Sequence, residues 1–178
     1  MRPITRTLAT ITFALNITLA HAGTQVLGFE IGVTSVDQVR QDLSKKTKIE
    51  DRGTNKFTTG PMLRADGSAY EIEGLNDVLY IFDDQKKLAG VIMDMNKSRF
   101  DAIFQFLNGK YKVTSQQRPF VGNQSAKFKP TDSIIELDAP HMGFNMEVRY
   151  LRNDLVQKFN AQTEAEAAAK KRSEASKF

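Results

Sequence analysis

The sequence has no cysteine and no tryptophan, and only two histidines and five prolines in 178 residues. Each shortage excludes something. Without cysteine there is no disulfide framework, no thiolate zinc site, no thiol nucleophile and no lipid-anchored cysteine at a processed N-terminus. One histidine, His21, lies in the first 22 residues, so His141 is the single imidazole available beyond them. No serine stands in a nucleophile-elbow context, and no glycine-rich phosphate loop or metal-type histidine spacing occurs. Charge of one sign is also scarce: 25 Lys plus Arg against 21 Asp plus Glu leaves a formal +4. That is too little for a nucleic-acid footprint. Adjacent carboxylates do occur, at Asp83-Asp84, but aspartate there, as at Asp66-Gly67, reads as turn chemistry. Nothing singles out the facing pair that a hydrolase uses. The chain therefore reads as a non-enzymatic protein with no cofactor and no nucleic-acid partner.

A long hydrophobic run is missing too. The apolar stretch from Leu8 to Leu19 falls short of the roughly 20 residues that span a bilayer. Arg2 and Arg6 precede it and Ala20-His21-Ala22 follows, the order of an export signal. Residues 1–22 are expected to be removed after Ala22, leaving a periplasmic or secreted protein without stable membrane insertion. Having no disulfides, that protein must be held by its core.

What the sequence does contain is a pattern that recurs. Thr34 followed by Asp37 approximates a capping box, and Val36, Val39 and Leu43 then fall on one helical face. Ser98 and Asp101 repeat the cap, Phe100, Ile103, Phe104 and Leu107 repeat the face, and Asn108-Gly109 is a stop signal. The offset is 64 residues. Without gaps it also matches Ile49 to Val113, Val78, Tyr80 and Phe82 to Met142, Phe144 and Met146, Val91 to Leu155, and Met95 to Phe159. Strands are expected over 70–74, 78–82, 88–95, 133–137 and 142–151, the last with Met142, Phe144, Met146, Val148 and Tyr150 inward and Asn145, Glu147 and Arg149 in water. The implied fold class is α+β: an antiparallel sheet with two helices packed on one face, a tandem repeat of units at 30–95 and 96–159 in one domain over 23–160. Residues 161–178 are rich in Ala, Glu and Lys and lack an apolar stripe, so a solvated helical or disordered tail is expected.

Phe29-Glu30-Ile31-Gly32-Val33-Thr34, followed by Val36 and Val39, resembles the opening of the small outer-membrane-assembly lipoprotein family (BamE, also called SmpA). The tandem helix-plus-sheet pattern is similar to that of the beta-lactamase inhibitory protein. Those proteins present a sheet and loops to protein partners and are not enzymes, so the resemblance implies a protein-binding or inhibitor-type module. The lipoproteins' anchoring cysteine is absent here, and membrane anchoring does not carry over.

Two polar stretches, 52–61 and 115–125, read as equivalent long loops. Each holds a basic residue beside an aromatic, Lys56-Phe57 and Arg118-Pro119-Phe120, the residue types enriched at interface hot spots. These four are the candidate binding residues, expected at one edge of the sheet against a protein partner. The alternative is a periplasmic carrier of a small ligand or of copper, since Met93, Met95, Met142, Met146 and His141 supply the ligand types that suit Cu(I). Strand alternation places the four methionines in the core, where methionine fills gaps, so no metal site is expected.

Overall fold

The computed structural model describes residues 23–177; the expected export segment, 1–22, lies outside the described residues. A two-residue-per-strand hairpin, β1 (Gln25–Val26) and β2 (Phe29–Glu30), opens the fold. Gly28 makes its tight turn possible, with φ of +85°. Next come α1 (Val36–Leu43), β3 (Ile49–Thr54), β4 (Thr59–Asp66), β5 (Leu75–Asp83) and β6 (Leu88–Asn96). The same order then recurs: α2 (Phe100–Lys110), β7 (Val113–Gln117), β8 (Gln124–Phe128), β9 (Ser133–Ala139) and β10 (Asn145–Arg152). A 23-residue helix, α3 (Asn153–Ala175), closes the chain.

The eight longer strands form one antiparallel sheet in the order β3-β4-β5-β6-β10-β9-β8-β7. The expected α+β class is therefore the observed one. One face is covered by α1 and α2, whose buried stripes are Val36, Val39 and Leu43, and Phe100, Phe104 and Leu107. Both stripes follow the 3.6-residue period. They pack on the inward residues of the central strands, among them Tyr80, Phe82, Val91, Leu137 and Val148. Phe29 meets Tyr80 edge to face at 5.7 Å, so the β1–β2 hairpin belongs to this layer. Burial raises the hydroxyl of Tyr80 well above its ordinary acidity range, and Tyr70 is its hydrogen-bond partner.

The root of α3 covers part of the opposite face, with Leu155 against Ile81 and Ala89. This helix starts at Asn153, so the expected boundary between domain and tail at residue 160 falls inside it. Arg152 fixes the root. Its guanidinium reaches Asp83 at 2.9 Å, on the β5–β6 turn, and Asp154 at 2.6 Å. Among the described residues no helix is long and apolar enough to cross a membrane.

Several expectations need correction. The cap of α1 is Ser35 with Gln38, one residue later than expected, and the two make the reciprocal bonds of a capping box. Ser98 lies in a short 3-10 turn capped by Asn96, and α2 has no side-chain cap of its own. That helix continues through Asn108-Gly109 to Lys110. Residues 70–74 are a 3-10 turn and its exit, with Glu71 at φ +53°, not a strand. The polar stretches at 52–61 and 115–125 are hairpins, not long loops: β3 with β4, and β7 with β8. Lying at the sheet edges, β3 and β7 are exposed almost throughout, so no alternation marks them.

The offset of 64 residues is also not kept along the chain. It holds for the first edge strands, where Ile49 and Val113 take corresponding places. Beyond them it drifts, because eight residues join β4 to β5 (67–74) but only four join β8 to β9 (129–132). Met142 and Phe144 then precede β10, where the expected matches Val78 and Tyr80 lie inside β5. Likewise Leu155 and Phe159 are in α3, where their expected matches Val91 and Met95 are in β6.

Candidate functional site

The four candidate binding residues are not brought together. β3 and β7 are opposite edges of the sheet, seven strand spacings or roughly 30 Å apart along it. In an eight-stranded antiparallel order the β3–β4 and β7–β8 turns also point to opposite ends. The two basic-aromatic pairs thus occupy diagonal corners.

At the first corner the aromatic is an anchor. Phe57 is half-buried against Phe159 of α3, edge to face at 5.0 Å. Lys56 lies over the Phe57 ring at 4.7 Å, and its Nζ is 3.8 Å from Glu166. Asn55 shapes the turn by accepting the amides of Phe57 and Thr58 at 2.9 and 3.1 Å. The pair is committed to holding α3 against the sheet.

At the second corner basic residue and aromatic separate. Arg118 lies over the rings of Phe104 and Phe100, at 4.8 and 5.8 Å, and pairs with Asp101 on α2. Arg118 so ties the β7–β8 turn down, while Phe120 projects fully into water, at 104% relative exposure. Three more large apolar side chains lie at this end of the sheet: Val121 at 67%, Met142 at 85% and Phe144 at 90%. The last two come from the β9–β10 connection. Alternation had placed both inside, but β10 begins at Asn145, and Gly143 at φ +136° breaks the run before it. Pro140 and Gly143 were the signals that could have moved the strand start.

The two tips are braced. The His141 amide donates to Asn123 Oδ1 at 2.7 Å, joining the β9–β10 connection to the β7–β8 turn. Lys97, just after β6, donates its amide to the Phe144 carbonyl at 2.7 Å, and its ammonium to the carbonyls of Pro140 and, at 3.1 Å, His141. A shallow hollow of about 430 Å³ lies beside Phe144, reaching Phe100, Asp101 and Gln124. The apolar side chains are thus held out on a backbone that the molecule itself fixes, with Lys97 and Arg118 as flanking cations.

The open face of the sheet is different in kind. Asn145, Glu147 and Arg149 do face outward, as alternation predicts. Asp77, Asp94, Glu147 and Asp138 are register neighbours across four strands. Arg64 meets Asp77 at 2.7 Å, and Arg149 meets Glu147 and Asp138 at 2.6 and 3.3 Å. Asp94 accepts from the amides of Asn76 and Asn145 at 2.5 and 2.7 Å. These groups satisfy one another. Of the methionines, Met93, Met95 and Met146 are buried on the helix-covered face, whereas Met142 is exposed. Compared with protein-family models, curated proteins and solved structures, the chain matches none.

Proposed function

We propose that this is an exported, non-enzymatic protein that binds another protein through the corner formed by the β7–β8 turn and the β9–β10 connection. The observation that supports this reading is the exposure of four large apolar side chains, Phe120, Val121, Met142 and Phe144, on two tips tied together by His141 and Asn123. Scattered apolar side chains on a surface need no explanation, but four of them on two tips fixed to each other have the form of an interaction site. Phenylalanine and methionine are enriched at the centres of such sites. Of the two basic-aromatic pairs, only Phe120 stays available; Lys56 and Phe57 hold α3.

Site-specific photo-crosslinking tests the reading in the protein's own host cells. A photoreactive residue at 120 or 144 should trap one discrete partner, and the same probe at exposed Lys45, in the turn that follows α1, should not. With that partner in hand, Phe144→Ala should weaken binding about thirtyfold, the loss of a ~2 kcal/mol hot spot, without lowering the melting temperature. Equal labelling at 45 and 144, or unchanged affinity in Phe144→Ala, would refute the site.

A further inference from the structure

On the helix-covered face, the β1–β2 hairpin and α2 leave a cleft between them of about 280 Å³. Its floor is the central strand pair: Met93 and Met95 of β6 beside Val148 and Tyr150 of β10. Leu27 and Ile72 wall it and, from α2, so do Ile103 and Phe106, the latter 67% exposed at the mouth. The lining is apolar except where the cleft opens past Gln25, Lys110 and Tyr111. There it joins a wider basin that holds three lysines, Lys110, Lys112 and Lys129. None of the three forms an ion pair among the described residues. Of the carboxylates at the basin, Asp132 accepts from the amide and hydroxyl of Thr24, and Glu30, at its edge, accepts the amide of Gly23 at 2.9 Å. Beyond Leu27 and Ile72 the surface carries Lys46 and Glu71, which cancel.

We propose that this cleft binds a single-chain amphiphile with an anionic head, a medium-chain alkyl carboxylate. Its chain lies along Met93 and Val148 and its carboxylate sits among Lys110, Lys112 and Lys129. The charge asymmetry selects the ligand: apolar along its length, cationic at one end, neutral at the other. A cationic amphiphile would meet three unpaired ammonium groups. A peptide would bring many amides and carbonyls into a cleft whose floor offers them a single polar group, the Tyr150 hydroxyl, and burying a polar group unpaired is costly. The volume lies just below the usual range for drug-sized ligands, which favours one slim chain over a ring system or a two-chain lipid. Met93 and Met95 add unbranched, adaptable side chains that shape themselves to a flexible ligand. This site is separate from the apolar corner and does not rest on the protein-binding reading.

Calorimetric titration of the protein recovered from cells expressing the full chain, stripped of lipid, tests this. The probes are octanoate, decanoate and dodecanoate, each below its micelle concentration. Affinity should rise about fourfold per added methylene until the cleft is full. At low salt decanoate should bind at least tenfold tighter than decanol, and the gap should narrow as salt rises. Replacing the three exposed lysines together, Lys110→Gln, Lys112→Gln and Lys129→Gln, should abolish that gap and leave decanol binding unchanged. Phe106→Glu, at an exposed helix position, should weaken decanoate more than decanol. Phe144→Ala should alter neither. Absence of saturable binding, equal binding of dodecyltrimethylammonium and dodecanoate, or an unaltered decanoate affinity in the triple lysine variant would overturn the proposal.

Discussion

Phe57 and Phe120 show what one side chain's surroundings decide. In the sequence the two look alike: each follows a basic residue in a polar stretch. In the fold Phe57 packs edge to face on Phe159 and is half-buried, and Phe120 touches water on all sides. Their alanine variants should therefore part. Phe57→Ala removes an aromatic pair and part of its buried area, a loss of about 1–2 kcal/mol. Phe120→Ala removes nothing the folded state uses and should stay within about 0.5 kcal/mol of the parent. Urea denaturation of both variants checks this, and equal midpoints would contradict the anchoring role of Phe57. No residue-type statistic separates the two in advance. The difference comes from α3, which reaches the first tip and not the second.

At the scale of elements, legibility followed burial. α1 and α2 announce themselves because each lays one apolar stripe on the sheet, and β5, β6 and β9 because their inward residues are large and regular. The edge strands β3 and β7 are silent, since backbone pairing holds them and their side chains are exposed. α3 is half legible. Its outer turns have no apolar face, and its root is held by Leu155, Phe159 and the ions around Arg152, a three-dimensional arrangement that no periodicity encodes. Those ions carry a pH dependence. The hydrogen bond from Arg152 holds the Asp154 carboxyl below its ordinary value of 3.8. A carboxyl with a depressed folded-state pKa stabilises the fold above its unfolded value and loses that contribution as pH falls through the folded one. The melting temperature should thus be insensitive to this group above about pH 5 and decline as the pH drops below about 4. Asp154→Asn should show a shallower acid decline than the parent in thermal melts from pH 6 to 3. Parallel curves would show that Arg152 contributes nothing through Asp154.

For the whole molecule, the candidate site was less legible than the fold. Phe120 is visible as a candidate, but the exposure of Met142 and Phe144 is hidden by an alternation that runs on past the true start of β10. The cleft between the β1–β2 hairpin and α2 was beyond reach, because its walls are distant in sequence and only the fold joins them. That order has a consequence for how the chain reaches its native state. Six of the seven strand contacts join consecutive strands, and only β6 with β10 bridges a long stretch of chain. Each four-stranded meander closes short loops of low entropy cost, whereas the central join must wait for two preformed sheets to meet. Val148, paired with Met93 across that join, is then expected to make its native contacts late. Val148→Ala, costing about 2 kcal/mol in the core, should speed unfolding by ten- to thirtyfold and leave the refolding rate within about twofold in stopped-flow chevrons. A slowed refolding limb with unchanged unfolding would place the seam in the nucleus instead. On the expected outcome, native lifetime is governed by a single hydrogen-bonded seam, and the protein comes apart first down its middle.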